Sequence, residues 1–174
     1  MSWSRRQVLG ALALLPLGAC GFQPLYGERG IAGGKVAPLL GAIKIQNVSI
    51  AGEFSRFGFE LQERLIDRLT PKGQPAAPLY ALKVDAAVSR SNLLIQLDNT
   101  VRRRNLTIRA NFELVDLSDN KVVYSSQTRA LSSYNIVDSD FANLISERDA
   151  GLRAAKSVSE EITIQLASHF SRVG

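Results

Sequence analysis

From residue 79 onward, apolar residues recur at every second position through two successive runs, a period that commits the middle of the chain to a sheet. Tyr80, Leu82, Val84, Ala86 and Val88 share one face, with Lys83 and Asp85 opposite. Leu106, Ile108, Ala110, Phe112 and Leu114 repeat the pattern against Thr107, Arg109, Asn111 and Glu113, the cleanest alternation in the chain. Between these runs, 93–97 stays extended but breaks phase, which predicts a bulge before a turn at Asp98-Asn99-Thr100. The next connection carries Ser118-Asp119-Asn120, residues that tolerate tight-turn backbone angles, so a hairpin leads into a third strand at 122–131. Three consecutive strands joined by hairpins make a meander.

Helical spacing brackets this meander. Residues 42–48 read as a first strand, with Ile43 and Ile45 on one side and Lys44 and Gln46 on the other. Phe54, Phe57, Leu61, Leu65 and Leu69 then recur at steps of three and four among Glu60, Glu63, Arg64, Asp67 and Arg68, the pattern of an amphipathic helix. Thr70-Pro71-Lys72-Gly73 ends it, because proline disfavours helical geometry in the residue before it and glycine frees the chain to turn. A second helix starts at Ser139 or Asp140, either of which can cap it, and carries Phe141, Ile145, Leu152, Ala155, Ile162, Leu166 and Phe170 in one stripe. From Phe141 to Phe170 it would be about 45 Å long, and Gly151 offers a point for a bend. The expected fold is α+β: a two-layer sandwich with an about four-stranded mixed sheet and two helices packed on one face. Strand order is left open.

The first 41 residues are of a different kind. Arg5 and Arg6 precede 8–18, which carries no charge, and the run closes on Leu17-Gly18-Ala19-Cys20, with the only cysteine in the chain. Charged, apolar and small-residue segments in that order make an export signal, and a cysteine after Gly18-Ala19 is a lipobox. Its thiolate is the nucleophile suited to taking a diacylglyceryl group, and the small residues let a signal peptidase close over the backbone. The run is too short for a spanning helix, which needs about 20 apolar residues. Residues 1–19 therefore read as a lipoprotein signal peptide, with the mature chain beginning at a lipidated Cys20. Ser4-Arg5-Arg6-Gln7-Val8-Leu9 is compatible with either a twin-arginine signal or an ordinary secretory one. Residues 20–41, with six glycines and two prolines, read as a tether. Its apolar start, Phe22-Gln23-Pro24-Leu25-Tyr26, could pack on a partner, lie among lipid headgroups, or cap a strand of its own domain. The remaining 42–174 is enough for a single α+β domain with one core.

Charge and cysteine usage narrow the chemistry. Of 21 basic residues, Arg5 and Arg6 leave with the leader, so 19 face 16 acidic ones, a mild excess that gives little support to nucleic-acid binding. With Cys20 lipidated, no thiol remains for a disulfide or a thiolate metal site. His169 is the only histidine. One histidine without cysteine partners does not make a structural zinc site, and Ser168-His169 lacks the oriented acid and oxyanion hole that a hydrolytic triad needs. Tyr80, Tyr124 and Phe112 could stack on bases, but they stand where a sheet face meets helices, and core is the better assignment. No enzyme, no metal and no cofactor beyond the covalent lipid on Cys20 are expected.

Cys20-Gly21-Phe22-Gln23-Pro24-Leu25-Tyr26-Gly27 at the lipobox, the order of elements after it, and Glu147-Arg148-Asp149-Ala150 with Arg153-Ala154-Ala155 in the last helix together resemble the lipopolysaccharide-assembly lipoprotein family LptE, in its alphaproteobacterial form. The resemblance implies a non-catalytic outer-membrane lipoprotein, held on the periplasmic side by its lipid. It would sit within the lumen of the β-barrel LptD as plug and assembly partner, and contact lipopolysaccharide. Gly21 agrees with that address, since lipoproteins of this class retained at the inner membrane usually carry aspartate there. An auxiliary lipoprotein of an ABC-type lipid transporter is the alternative, sharing a lipobox and a small α+β domain, and 22–27 favours the first.

Arg102-Arg103-Arg104 is the densest charge in the chain and follows the expected hairpin turn. Guanidinium groups bind phosphate bidentately and stay charged at any relevant pH, which suits phosphorylated lipid A. On a strand, Arg102 and Arg104 share a face and Arg103 opposes them. The competing reading is a solvated strand end or an ion-pair contact to the barrel wall. Arg90 and Arg148 are further candidates. The family's basic positions lie near this hairpin tip and the start of the last helix, and the correspondence is to a region, not residue for residue.

Overall fold

The computed structural model describes residues 36–50, 52–95 and 101–173. The lipobox, Cys20, the proposed signal peptide, most of the tether and the turn at 98–100 lie outside the described residues. The order is α1 (Val36–Gly41), β1 (Ile43–Ile45), β2 (Ser49–Ile50), a 3-10 turn at Gly52–Phe54, α2 (Ser55–Leu69), β3 (Tyr80–Ile95), β4 (Val101–Asp116), β5 (Val122–Asn135) and α3 (Asp140–Val173).

The sheet runs β1-β3-β4-β5, with β2 also on β3. β1 and β2 lie parallel to β3, which they reach through the α2 crossover, while β3, β4 and β5 are antiparallel. The sheet is thus mixed, as expected, and has five strands. Of the run read as one strand at 42–48 only Ile43–Ile45 is strand, and a second short piece, Ser49–Ile50, follows beyond it. Ile43–Ile45 pairs with Tyr80–Leu82 and Ser49–Ile50 with Asp85–Ala86. Between them, the Val48 N–H donates 3.4 Å to Gln62 Oε1 on α2. Past Ala86 no strand among the described residues covers the outer edge of β3, and the sheet narrows to a three-stranded ribbon. The expected bulge is present as register shifts between Asn92 and Ile95.

One face of the sheet is buried and the other is open. Leu82, Val84, Leu106, Ile108, Ala110, Phe112 and Leu114 meet Phe57, Leu61 and Leu65 of α2 and Ala155, Val158, Ile162 and Leu166 of α3 in a single core. Lys83, Asp85, Arg109, Asn111, Glu113, Gln127 and Arg129 stand exposed on the other side. The two-layer sandwich is therefore present, with one addition. Val36–Gly41, inside the segment read as tether, is a short helix whose Val36 and Leu40 are buried in the same core. The packed domain thus includes α1, which Pro38 does not interrupt because proline is tolerated in the first turn of a helix.

Local chemistry explains the turns. Asp116 Oδ1 accepts the Ser118 N–H at 2.8 Å, Asp119 Oδ1 accepts the Lys121 N–H at 3.1 Å, and Asn120 takes φ 55°. α2 ends where the Thr70 N–H and hydroxyl both donate to Ile66 O, at 2.8 and 3.1 Å. Ser139 caps α3 through its hydroxyl, 3.4 Å from the Ala142 N–H.

α3 departs from expectation in two respects. It is one continuous 34-residue helix, in which Gly151 makes a close contact with Phe57 on α2. Its apolar stripe is also buried only from Ala150 onward. Phe141 and Ile145, read as part of the buried stripe, are 73% and 46% exposed, because the first turns of the helix run beyond the layer formed with α2.

Candidate functional site

The long β3–β4 hairpin brings the sequence-identified arginines to one end of the molecule but distributes them over different surroundings. Arg104 lies directly across from Asn92 on β3 and Tyr134 on β5. Its Nε donates 3.3 Å to Asn92 Oδ1. The Tyr134 hydroxyl donates 3.0 Å to Glu147 Oε2 on α3, and Glu147 also accepts Arg90 Nη1 at 3.2 Å. Arg90 is further ion-paired to Glu53 and lies over the Phe54 ring, 4.8 Å from its centroid. A continuous polar chain thus runs from the 3-10 turn through β3 and α3 to β5.

The electrostatics follow from that arrangement. Burial alone would lower the Arg90 pKa, but Glu147 and Glu53 outweigh it and hold the guanidinium above its ordinary value. Tyr134 is pushed up, first by burial and then by donating to the Glu147 carboxylate, with Arg104 opposing. Glu147 is therefore the hub, an acceptor with two donors. An isolated carboxylate at 13% side-chain exposure would be costly, and its partners offset that.

Arg90 and Arg104 are joined through this chain, which makes Arg90 a structural cation held between two carboxylates. Arg103 is exposed on strand β4, opposite Asn135 and one residue out of phase with Arg104. Arg102 is the second residue of β4. Arg148 is exposed on α3, and among the described residues no carboxylate lies within ion-pair distance of it. Arg103 and Arg148 are thus accessible cations at this end of the molecule, the first on the sheet face opposite Arg104 and the second on α3. Tyr134 and Glu53 had no signal in the sequence pattern, since their roles arise from contacts across 13 and 37 residues.

Below the cluster, α3 is fastened to β5 by Arg153, which donates to Ser132 Oγ and to Ser133 O, both at 3.2 Å, and pairs with Asp149. At the opposite end, His169 stacks on Tyr124 with ring centroids 4.6 Å apart, and Phe170 packs on Tyr80 at 5.3 Å. Burial, with Arg172 adding to it, lowers the His169 pKa. Phe112 is fully buried and Tyr80 and Tyr124 are partly buried against the core, so these aromatics pack the helix layer onto the sheet. No group of three or more metal-ligating side chains occurs among the described residues.

A family profile described as lipopolysaccharide-assembly, LptE, matches residues 40–166. An uncharacterized protein of Rickettsia prowazekii (strain Madrid E) is 27% identical over 115 residues, covering 66% of this chain and 71% of that protein. A putative lipoprotein from Caulobacter crescentus shares the fold with a TM-score of 0.61 at 22% identity, over 79% of this chain and 96% of that one. A minor lipoprotein from Acinetobacter baumannii does so with a TM-score of 0.54 at 19% identity, over 72% and 91%.

Proposed function

The chain belongs to the lipopolysaccharide-assembly family LptE, and from that membership we propose that it is an outer-membrane lipoprotein, anchored through Cys20, that serves the barrel LptD as plug and assembly partner and contacts lipopolysaccharide. The family match over 40–166 is the observation that carries this reading. The form of the domain supports it. A long hairpin ribbon with one polar face can enter a barrel lumen, which is itself polar and water-filled. No helix among the described residues is long and apolar enough to cross a membrane, so attachment in this reading rests on the lipid, whose several acyl chains hold more firmly than one.

Within this reading the domain performs no bond-making step. α2 and α3 hold the sheet rigid, the Arg90–Glu147–Tyr134 chain fixes the turn-proximal part of the β3–β4 hairpin against the start of α3, and Arg103 and Arg148 present cations to phosphorylated sugars. Arg90 holds Glu147 in place and has a supporting part. Affinity purification of the lipidated chain from membranes tests the proposal: recovery of the barrel supports it, and recovery of an ATPase complex without the barrel overturns it.

A further inference from the structure

Arg109 and Arg129 face each other directly across β4 and β5, on the open side of the sheet. The next pair on that face, Asn111 and Gln127, is also in direct register. Like charges opposed across a strand pair repel and weaken a sheet, and among the described residues no ion pair offsets the repulsion. Among the described residues no carboxylate lies within ion-pair distance of either arginine and neither side chain has a hydrogen-bond partner. The nearest acid by register, Asp85, stands across from Asn111, whereas Arg109 faces the small Ala87. The result is a depression of about 360 Å³ lined by Arg109, Gln127, Thr128 and Arg129. Leu131, two residues beyond Arg129 on the same strand face, is 61% exposed.

We propose that Arg109 and Arg129 form a two-arginine clamp for the phosphate monoester group of an amphiphile, with the Asn111 and Gln127 amides as additional donors and Leu131 beside the apolar body. Two forked guanidinium groups can each give paired hydrogen bonds to one tetrahedral anion, and a dianion between them converts the cross-strand repulsion into attraction. An exposed leucine adjoining the clamp distinguishes an amphiphile from free phosphate. The site lies on the face opposite the Tyr134–Glu147 chain and stands independently of the barrel partnership, since its binding is measured without a barrel.

The test uses the full chain in neutral detergent. Three probes are compared: inorganic phosphate against sodium chloride at equal ionic strength, vesicles of phosphatidylcholine with and without phosphatidic acid, and a polyglutamate peptide. The wild type should be stabilised by phosphate and bind phosphatidic acid vesicles more tightly still. The double variant R109Q/R129Q should melt no lower than wild type in plain buffer, lose the phosphate stabilisation, and bind phosphatidic acid about tenfold more weakly, equivalent to about 1.4 kcal/mol. Lys83→Gln, which removes a cation elsewhere on the same face, should bind as wild type does. Equal responses of wild type and R109Q/R129Q would overturn the clamp. So would binding of polyglutamate without binding of phosphatidic acid, which would assign the pair to an acidic protein surface.

Discussion

The ring of Phe57 on α2 lies against the backbone of Gly151 on α3 so closely that a Cβ at residue 151 would fall 2.2 Å from two of its carbons. Both residues are buried, and the contact sets how near the two helices approach. Gly151→Ala gains helix propensity of up to about 1 kcal/mol, but forces Phe57 out of its place at a cost of about 1–3 kcal/mol. The variant should therefore melt lower than wild type. Adding Phe57→Leu should recover part of the loss, which thermal unfolding of the two single variants and the double variant will show. Independent, additive losses would mean that the contact is not the cause.

Tyr134 supplies an alkaline signature. Its folded pKa is raised above the ordinary 10.0 by burial and by Glu147, so its contribution is fully present below pH 10.0 and is lost as pH rises through the folded value. Tyr134→Phe should be less stable at pH 8 by about 0.5–1.5 kcal/mol, the net worth of a typical side-chain hydrogen bond. Denaturant titrations should show the gap to wild type closing at strongly alkaline pH.

His169 gives the opposite slope. Burial against Tyr124 lowers its pKa below 6.5, so its contribution is present above pH 6.5 and is lost as pH falls through the folded value. Melting curves of wild type should decline on acidification from pH 7 to 5. His169→Phe, which keeps an aromatic ring on Tyr124, should flatten that decline.

Reversing Arg102, Arg103 and Arg104 to glutamate should weaken binding of purified lipopolysaccharide while leaving barrel association in place. A pull-down at fixed salt reads both, because phosphate contacts are salt-sensitive. Undiminished lipopolysaccharide recovery would remove the turn end of the hairpin from the binding surface.

Much of this architecture was legible because its signals are local. The alternation from Leu106 to Leu114 and the three-and-four spacing from Phe57 to Leu69 each report one element packing on one face, and nothing competes with them. The stretch before β1 misled because Pro38 and its glycines suggest a linker, while Val36 and Leu40 are too few to register as a helical stripe. Gly151 was ambiguous in principle: glycine permits a bend and equally permits a close approach, and only the position of Phe57 decides. The arginines were visible, but their environments were not. Whether Arg90 is free or held depends on Glu53 and Glu147, which lie 37 and 57 residues away. The clamp pair escaped for the same reason, since Arg109 and Arg129 become neighbours only through the β4–β5 register.

The most direct test of the central claim is photocrosslinking in the living envelope from residue 103 of the lipidated chain, co-expressed with its cognate barrel. A crosslink to a lumen-facing strand of the barrel is the predicted result. A chain that crosslinks instead to a transporter subunit, with no barrel product, would contradict the plug.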